Sequence, residues 1–174
     1  MTLRAVVIGI GNSFRRDDGL GPEVAAQIHR RRLPGVRVVI SDGEPVGLLE
    51  AWEGADLAVV VDAVQRVPAS PGSIHRFTAG QLETGCTAAS SHGLGVADAI
   101  RLGRALERLP RQVVILAVEG ADTGPGTGLS AAVAAAVPQA VTAVVAELKR
   151  IKSPDKPGDA NPRRKRQGQH RRGD

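Results

Sequence analysis

The feature that most constrains the fold is an alternation of short, continuous apolar runs with segments of helical periodicity. The apolar runs are rich in Val and Ile: Leu3–Ile10, Val36–Ser41, Leu57–Val61 and Val113–Val118. Such runs are typical of strands buried on both faces of a parallel sheet. Apolar residues recur at helical spacing between them, as in Leu20, Val24 and Ile28. The pattern predicts one α/β domain, a three-layer sandwich in which helices cover both faces of a mostly parallel, twisted sheet.

The remaining elements are weaker signals. We expect an edge strand over Ser73–Phe77, a short helix over Val46–Trp52, and a helix from His92 to about Leu109. A last helical region runs from Ser130 to Ile151. Pro138 lies inside it, and an interior proline costs a helix about 3 kcal/mol. We therefore expect Pro138 to begin a second helix.

The charge divides the chain into two parts. Residues 1–151 contain fifteen basic and fifteen acidic residues, whereas residues 152–174 contain eight basic and three acidic ones. The net charge of +5 therefore lies entirely in the tail. The only aromatic residues are Phe14, Trp52 and Phe77, too few for a base-stacking platform. We predict a folded domain over 1–151 that does not bind nucleic acid, and a disordered basic tail over 152–174 whose partner is unknown.

Cysteine content and hydropathy bear on the compartment. The single cysteine, Cys86, allows neither an internal disulfide nor a cysteine-based metal cluster, which fits a reducing compartment. The apolar run near the N-terminus is better explained as a first strand than as a signal peptide. We expect no segment to span a membrane, since a span requires roughly 20 apolar residues. These features predict a cytoplasmic protein without a membrane partner.

Three polar side chains follow three different predicted strands. Asp18 lies in the loop after the first strand, Asp62 directly follows Leu57–Val61, and His92 follows the edge strand. Open α/β sheets place their chemistry at the carboxyl ends of their strands. Two carboxylates and an imidazole suit nickel or zinc, and three ligands leave positions open for water or substrate. Taken singly, each has a structural alternative: Asp18 as a helix cap, Asp62 as a turn cap, His92 as a helix-start residue.

A nucleotide site is the competing interpretation. Gly9 and Gly11 resemble a dinucleotide fingerprint, and Asp42 ends the second strand where a ribose-binding acid would stand. Phe14 replaces the third glycine, however, and its ring would block close packing of helix on strand. Asp17 and Asp18 would also repel a pyrophosphate, and no Gly-Lys-Ser/Thr loop is present. The sequence therefore disfavours nucleotide binding.

The motifs resemble those of the hydrogenase maturation proteases. The resemblance lies in GIGNSFRRDDGLGP at 9–22, VVVDAV at 59–64 and SSHGL at 90–94. It extends to SDGEPVGLL at 41–49 and VEGADTGPGTGLS at 118–130. Each motif is ordinary alone, but their order and spacing across about residues 3–150 are specific. Such enzymes remove a C-terminal extension from the [NiFe] hydrogenase large-subunit precursor once nickel has been inserted.

The resemblance implies roles for individual residues. Asp18, Asp62 and His92 match the metal-contacting positions, and they are also the predicted catalytic residues. Asp18 stands where some members carry Glu, Asp42 matches a position near the substrate cleft, and Asp17 is expected to face solvent or to form hydrogen bonds. Nickel is expected to arrive with the precursor. Either a metal activates water, or the carboxylates serve as acid and base beside nickel that only docks the substrate. A non-catalytic binding module with the same cleft remains the alternative.

Overall fold

The computed structural model describes residues 4–84 and 93–152, and these residues form strands and helices that alternate along the chain. The strands are β1 (Ala5–Ile10), β2 (Val36–Ser41), β3 (Leu57–Val64), β4 (Ile74–Thr78) and β5 (Gln112–Glu119). The helices are α1 (Leu20–Arg30), α2 (Pro45–Trp52), α3 (Ala79–Glu83), α4 (Gly93–Ala105) and α5 (Ala131–Lys152). A single 3-10 turn, Arg16–Gly19, precedes α1.

The described strands form one sheet in the order β2-β1-β3-β5-β4. Neighbouring strands are parallel except at β4, which pairs antiparallel with β5 at the edge. The carboxyl ends of β1, β2, β3 and β5 therefore point the same way and form one edge, which we call the carboxyl edge. The predicted mostly parallel sheet and the predicted edge strand are confirmed, and the structure adds that this edge strand is antiparallel.

Each face of the sheet carries its own apolar core. On one face, α1 and α5 pack on alternate residues of the central strands, among them Val59, Val61 and Leu116. On the other face, α2 and α4 pack on the intervening residues, such as Val60 and Ile115, and α2 contributes the fully buried Trp52. The predicted three-layer sandwich is confirmed, because both faces of the sheet are covered by helices.

Helix α5 departs from expectation in two ways. It runs unbroken from Ala131 to Lys152 with Pro138 inside it, so the prediction of a second helix is wrong. Burial of Val133, Val141 and Leu148 against the sheet outweighs the proline penalty of about 3 kcal/mol, since each such side chain contributes about 1.5–3 kcal/mol. Residues Ala131–Ile151 are also long and apolar enough to cross a membrane, contrary to our expectation, yet this segment forms part of the core.

Two other boundaries differ from the predictions. β3 continues two residues beyond Asp62, because it keeps pairing with β5 as far as Val64 and Glu119. Helix α4 ends at Ala105 rather than near Leu109, since the chain turns at Glu107, whose φ of 55° is left-handed. His92, Cys86 and residues 153–174 of the basic tail lie outside the described residues, so what we expect of them stays a prediction.

Candidate active site at the carboxyl edge

The loop that carries Asp18 is held against the sheet by close backbone contact between α1 and two strands. A β-carbon on Gly9 would lie 2.2 Å from the carbonyl oxygen of Gly21, and one on Gly21 would lie 2.7 Å from the carbonyl oxygen of Val61. Only glycine allows this approach. The first turn of α1 therefore lies directly on the residue that precedes Asp62.

Phe14 does not have the position that the sequence suggested. Its side chain is 74% exposed in the loop between β1 and α1. It therefore blocks no helix–strand packing, and the close contact expected from the third glycine of a fingerprint is made instead by Gly21. The expectation that the Phe14 ring blocks close packing of helix on strand is therefore wrong. Asp17 and Asp18 remain in the loop where a phosphate group would have to bind.

Asp18 is a buried carboxylate in the 3-10 turn that follows β1. It is 3% exposed, and its Oδ2 accepts a hydrogen bond from the backbone N–H of Asn12 at 2.9 Å. The residue that caps α1 is Gly19, so the alternative role of Asp18 as the helix cap is wrong. The carboxylate thus stabilises its own loop, and the turn that carries it contacts β3.

Asp62 lies within β3, where the pairing of the neighbouring strand ends. The described pairing of β1 with β3 ends at Gly9 and Val61, whereas pairing with β5 continues through Asp62 and Ala117. The Asp62 side chain alternates with Val61 and so belongs to the α2 and α4 face of the sheet. It is 2% exposed. The structure therefore brings Asp18 and Asp62 to the carboxyl edges of adjacent strands, while their chemical role remains a prediction.

Asp17 proves to be a structural centre that sequence reasoning underestimated. It is fully buried, so the expectation of a solvent-facing side chain is wrong and that of hydrogen bonding is right. Its carboxylate accepts N–H groups of Ala121, Asp122 and Ser130 at 2.8, 2.9 and 2.6 Å, and the Ser130 hydroxyl at 2.9 Å. Burial raises the pKa of Asp17, but these four hydrogen bonds together outweigh it and lower the pKa below its ordinary value.

Arg16 also connects the loop after β1 to the glycine-rich loop over 120–130, through contacts nearer the surface than those of Asp17. Its backbone has a left-handed φ of 47°, and its N–H donates to the carbonyl of Gly126 at 3.0 Å. Its guanidinium donates to Pro125 at 3.2 Å and to Asp122 Oδ2 at 2.8 Å. A conformation this unfavourable for a non-glycine residue persists only where its surroundings fix it. The loop bearing Asp18 and the glycine-rich loop over 120–130 therefore form one braced unit.

The first turn of α4 lies at the same edge. A β-carbon on Gly95 would lie 2.2 Å from the carbonyl oxygen of Gly43, in the loop that follows β2. Asp42 in that loop is exposed and accepts the backbone N–H of Glu44 at 3.1 Å. Helix α4 packs on the face to which Asp62 belongs, and His92 is the residue immediately before this helix. Whether the imidazole joins the two carboxylates lies outside the described residues.

A second polar cluster at the carboxyl edge was missed altogether. Glu119, at the end of β5, is 4% exposed and accepts the backbone N–H of Ser70 at 2.6 Å; His75 Nε2 lies 2.6 Å from its other oxygen. The Ser70 N–H and the His75 ring lower the pKa of Glu119, and Arg66, 3.7 Å away, adds to the shift. The sequence did contain a signal for this cluster, because Glu119 is a charged residue at the end of the otherwise apolar strand β5. The cluster fixes the loop after β3.

The donor set fits a borderline divalent metal only in part. Asp18 and Asp62 supply carboxylate oxygens, which bind nickel or zinc, and an imidazole would complete the set. Within residues 4–84 and 93–152 no group of three or more metal-binding side chains comes together. The third predicted ligand, His92, lies outside those ranges. Chemically, two carboxylates at one edge can contact a cation or accept a proton from water.

Together the fold and the site define a three-layer α/β protein with two buried carboxylates at adjacent strand ends. The family model of the hydrogenase maturation proteases, HycI, matches residues 22–147, a span that begins just after Asp18. The chain therefore belongs to the hydrogenase maturation protease family, whose members are peptidases. The predicted family and hydrolase class are confirmed.

Individual relatives agree with this assignment. The chain is 30% identical over 123 residues to the hydrogenase expression/formation protein HupD of Bradyrhizobium diazoefficiens, covering 68% of this chain but 64% of HupD. It is 26% identical over 150 residues to the hydrogenase 2 maturation protease of Escherichia coli, covering 84% of this chain and 92% of that protein.

Solved structures show the same fold. The hydrogenase maturating endopeptidase HybD from E. coli has a TM-score of 0.74 at 21% identity, covering 86% of this chain and 94% of its own. The [NiFe] hydrogenase maturation protease HybD from Thermococcus kodakarensis has a TM-score of 0.69 at 25% identity, with coverages of 84% and 99%.

Proposed function

We propose that this chain is an endopeptidase that removes the C-terminal extension of a [NiFe] hydrogenase large-subunit precursor. We also propose that the nickel beside which it acts is carried by that precursor. The observation that supports this most directly is the burial of Asp18 and Asp62 at the carboxyl edges of adjacent strands. Membership of the hydrogenase maturation protease family supplies the substrate class.

The chemistry requires a proton acceptor near the scissile bond. Water adds to the carbonyl carbon, the C–N bond breaks, and the proton released by water must reach the leaving nitrogen. A carboxylate beside the bond can take and return this proton, a contribution of about a hundredfold to ten-thousandfold in rate. Asp18, Asp62 and His92 are the residues proposed to contact the substrate's nickel and to orient the bond.

The test is precursor processing followed by mass spectrometry. The wild-type enzyme should shorten the nickel-loaded precursor by the mass of the extension. Asp62→Asn should reduce the rate at least about a hundredfold, because the amide cannot accept the proton and is a weaker metal contact. Asp56→Asn is the matched control, since Asp56 precedes the same strand at its opposite end and its side chain contacts Arg4. If Asp62→Asn processes the precursor at the wild-type rate, the assignment of Asp62 to the active site is refuted.

A further inference from the structure

A groove opens beside the loop of Asp18 on the α1 and α5 face of the sheet. Its volume is about 650 Å³. Its floor and walls are mostly apolar and come from the loop after β1, from α1 and from the start of α5; among the lining residues are Ser13, Gly19, Pro22, Ala26, Ala134 and Pro138. The groove is separate from the α2 and α4 face on which Asp62 lies.

We infer that this groove binds the segment of the precursor on the C-terminal side of the scissile bond, the extension that is released. The inference rests on the proposed endopeptidase function and adds a binding site for one half of the substrate. Three features carry it: the position of the groove, the shape of the groove, and a helix carbonyl in its wall.

The position links the groove to the candidate site. Gly19 follows Asp18 in the chain, and a β-carbon on it would lie 3.1 Å from the Cα of Ser13. Both residues line the near end of the groove. A chain whose scissile bond lies at the carboxyl edge can therefore continue directly into the groove. The folded body of the precursor then lies towards the other face of the sheet, where α4 begins.

The shape suits a short extended peptide rather than a convex protein surface. On α1 the lining residues run from Pro22 to Gln27, a length of about 7.5 Å at 1.5 Å per residue. An extended peptide covers that length in about two to three residues. Ala26 leaves room for side chains of the peptide. Glu23 and Gln27 form a polar rim, in which Gln27 Nε2 donates a hydrogen bond to Glu23 Oε1 at 3.0 Å.

Pro138 gives the wall a hydrogen-bond acceptor. A proline has no N–H, so it cannot donate to the carbonyl of the residue four positions earlier, which is Ala134. Both residues line the groove. Pro138 therefore supplies no helical N–H to the Ala134 carbonyl, and an extended peptide carries backbone N–H groups that could donate to it. This gives the interior proline of α5 a functional explanation.

Two substitutions on α5 test the groove. Ala134→Trp fills it, and we expect KM for the nickel-loaded precursor to rise about tenfold with kcat within about twofold, the pattern of lost substrate binding. Ala135→Trp is the matched control: Ala135 is the next residue of the same helix, is also exposed, and does not line the groove. Its KM should stay within about twofold of the wild type. An unchanged KM for Ala134→Trp overturns the inference.

Pro138→Ala separates binding from structure. Alanine restores the helical N–H, so the thermal midpoint should rise. The same N–H occupies the Ala134 carbonyl, so KM should also rise, by a few-fold. A higher midpoint with an unchanged KM would overturn the role of this carbonyl, because a merely structural proline predicts that result.

A synthetic peptide with the sequence of the extension identifies the occupant. It should bind wild type and Ala135→Trp in calorimetry and bind Ala134→Trp about tenfold more weakly. Failure of the peptide to bind wild type, together with a raised KM for Ala134→Trp, would assign the groove to the folded body and overturn our assignment. If the wild type binds the peptide but does not cleave the nickel-loaded precursor, the proposed function fails while the groove stands.

Discussion

The carboxylate of Asp17 accepts both the backbone N–H and the hydroxyl of Ser130, at 2.6 and 2.9 Å. The two residues are 113 positions apart in sequence, and their contact joins the loop that carries Asp18 to the residue before α5. Asp17, the neighbour of Asp18 in sequence, therefore anchors both the loop of the candidate site and the start of the helix that forms one wall of the groove.

Replacing Asp17 should destabilise the fold. Asp17→Ala leaves the donors of four half-buried hydrogen bonds without their acceptor, and each such loss costs up to about 1–3 kcal/mol. Because the loop can relax towards water, we expect a total of about 3–5 kcal/mol in the free energy of unfolding. Urea denaturation measures it. Asp42→Ala is the control, since Asp42 is exposed, and a loss as small as that of the control would contradict the anchoring role of Asp17.

Glu119 should make stability depend on acid pH. Its pKa is lowered in the folded protein by the Ser70 N–H and by His75, so the folded state favours the ionised form. The sign follows from linkage: this stabilisation is complete above the ordinary glutamate pKa of about 4.3 and is lost as the pH falls through the lower, folded value. Glu119→Gln should therefore show a shallower loss of stability below that pH. Denaturation curves at neutral and at acid pH measure this loss for both proteins. An equal loss of unfolding free energy in wild type and variant would show that the cluster has no such effect.

The fold followed from the sequence more completely than the site did. Continuous runs such as Leu57–Val61 identify buried strands because burial on both faces leaves no polar position. Pro138 misled because local propensity favours a break, whereas the packing of α5 on the sheet keeps the helix whole. Asp17 and Asp18 are adjacent residues of the same type, so the sequence alone cannot distinguish their roles. In the folded protein Asp17 is hydrogen-bonded to residues over a hundred positions away and anchors the loops, whereas Asp18 bonds within its own loop and is the candidate catalytic carboxylate.

His92 should be required for processing but not for folding. The resemblance to the family assigns it a metal-contacting role, and it immediately precedes α4, so His92→Ala removes little of the described core. We expect activity on the nickel-loaded precursor to fall by about a hundredfold or more. The thermal midpoint should change by less than about 4 °C, consistent with a loss below about 1 kcal/mol. His29→Ala, in the last turn of α1, is the control and should process the precursor normally. Normal processing by His92→Ala would show that His92 is not part of the active site.

Nickel carried by the precursor, rather than by the enzyme, should decide whether cleavage occurs. The proposed ligands, two carboxylates and an imidazole, would leave open coordination positions that ligands within the precursor can fill, so cleavage should depend on nickel bound in the substrate. The enzyme is freed of metal with a chelator, which is then removed, and is mixed with nickel-loaded or nickel-free precursor; the mass of the precursor is followed with time. We expect loss of the extension from the nickel-loaded precursor alone. Cleavage of the nickel-free precursor at a comparable rate would show that nickel in the substrate is not required.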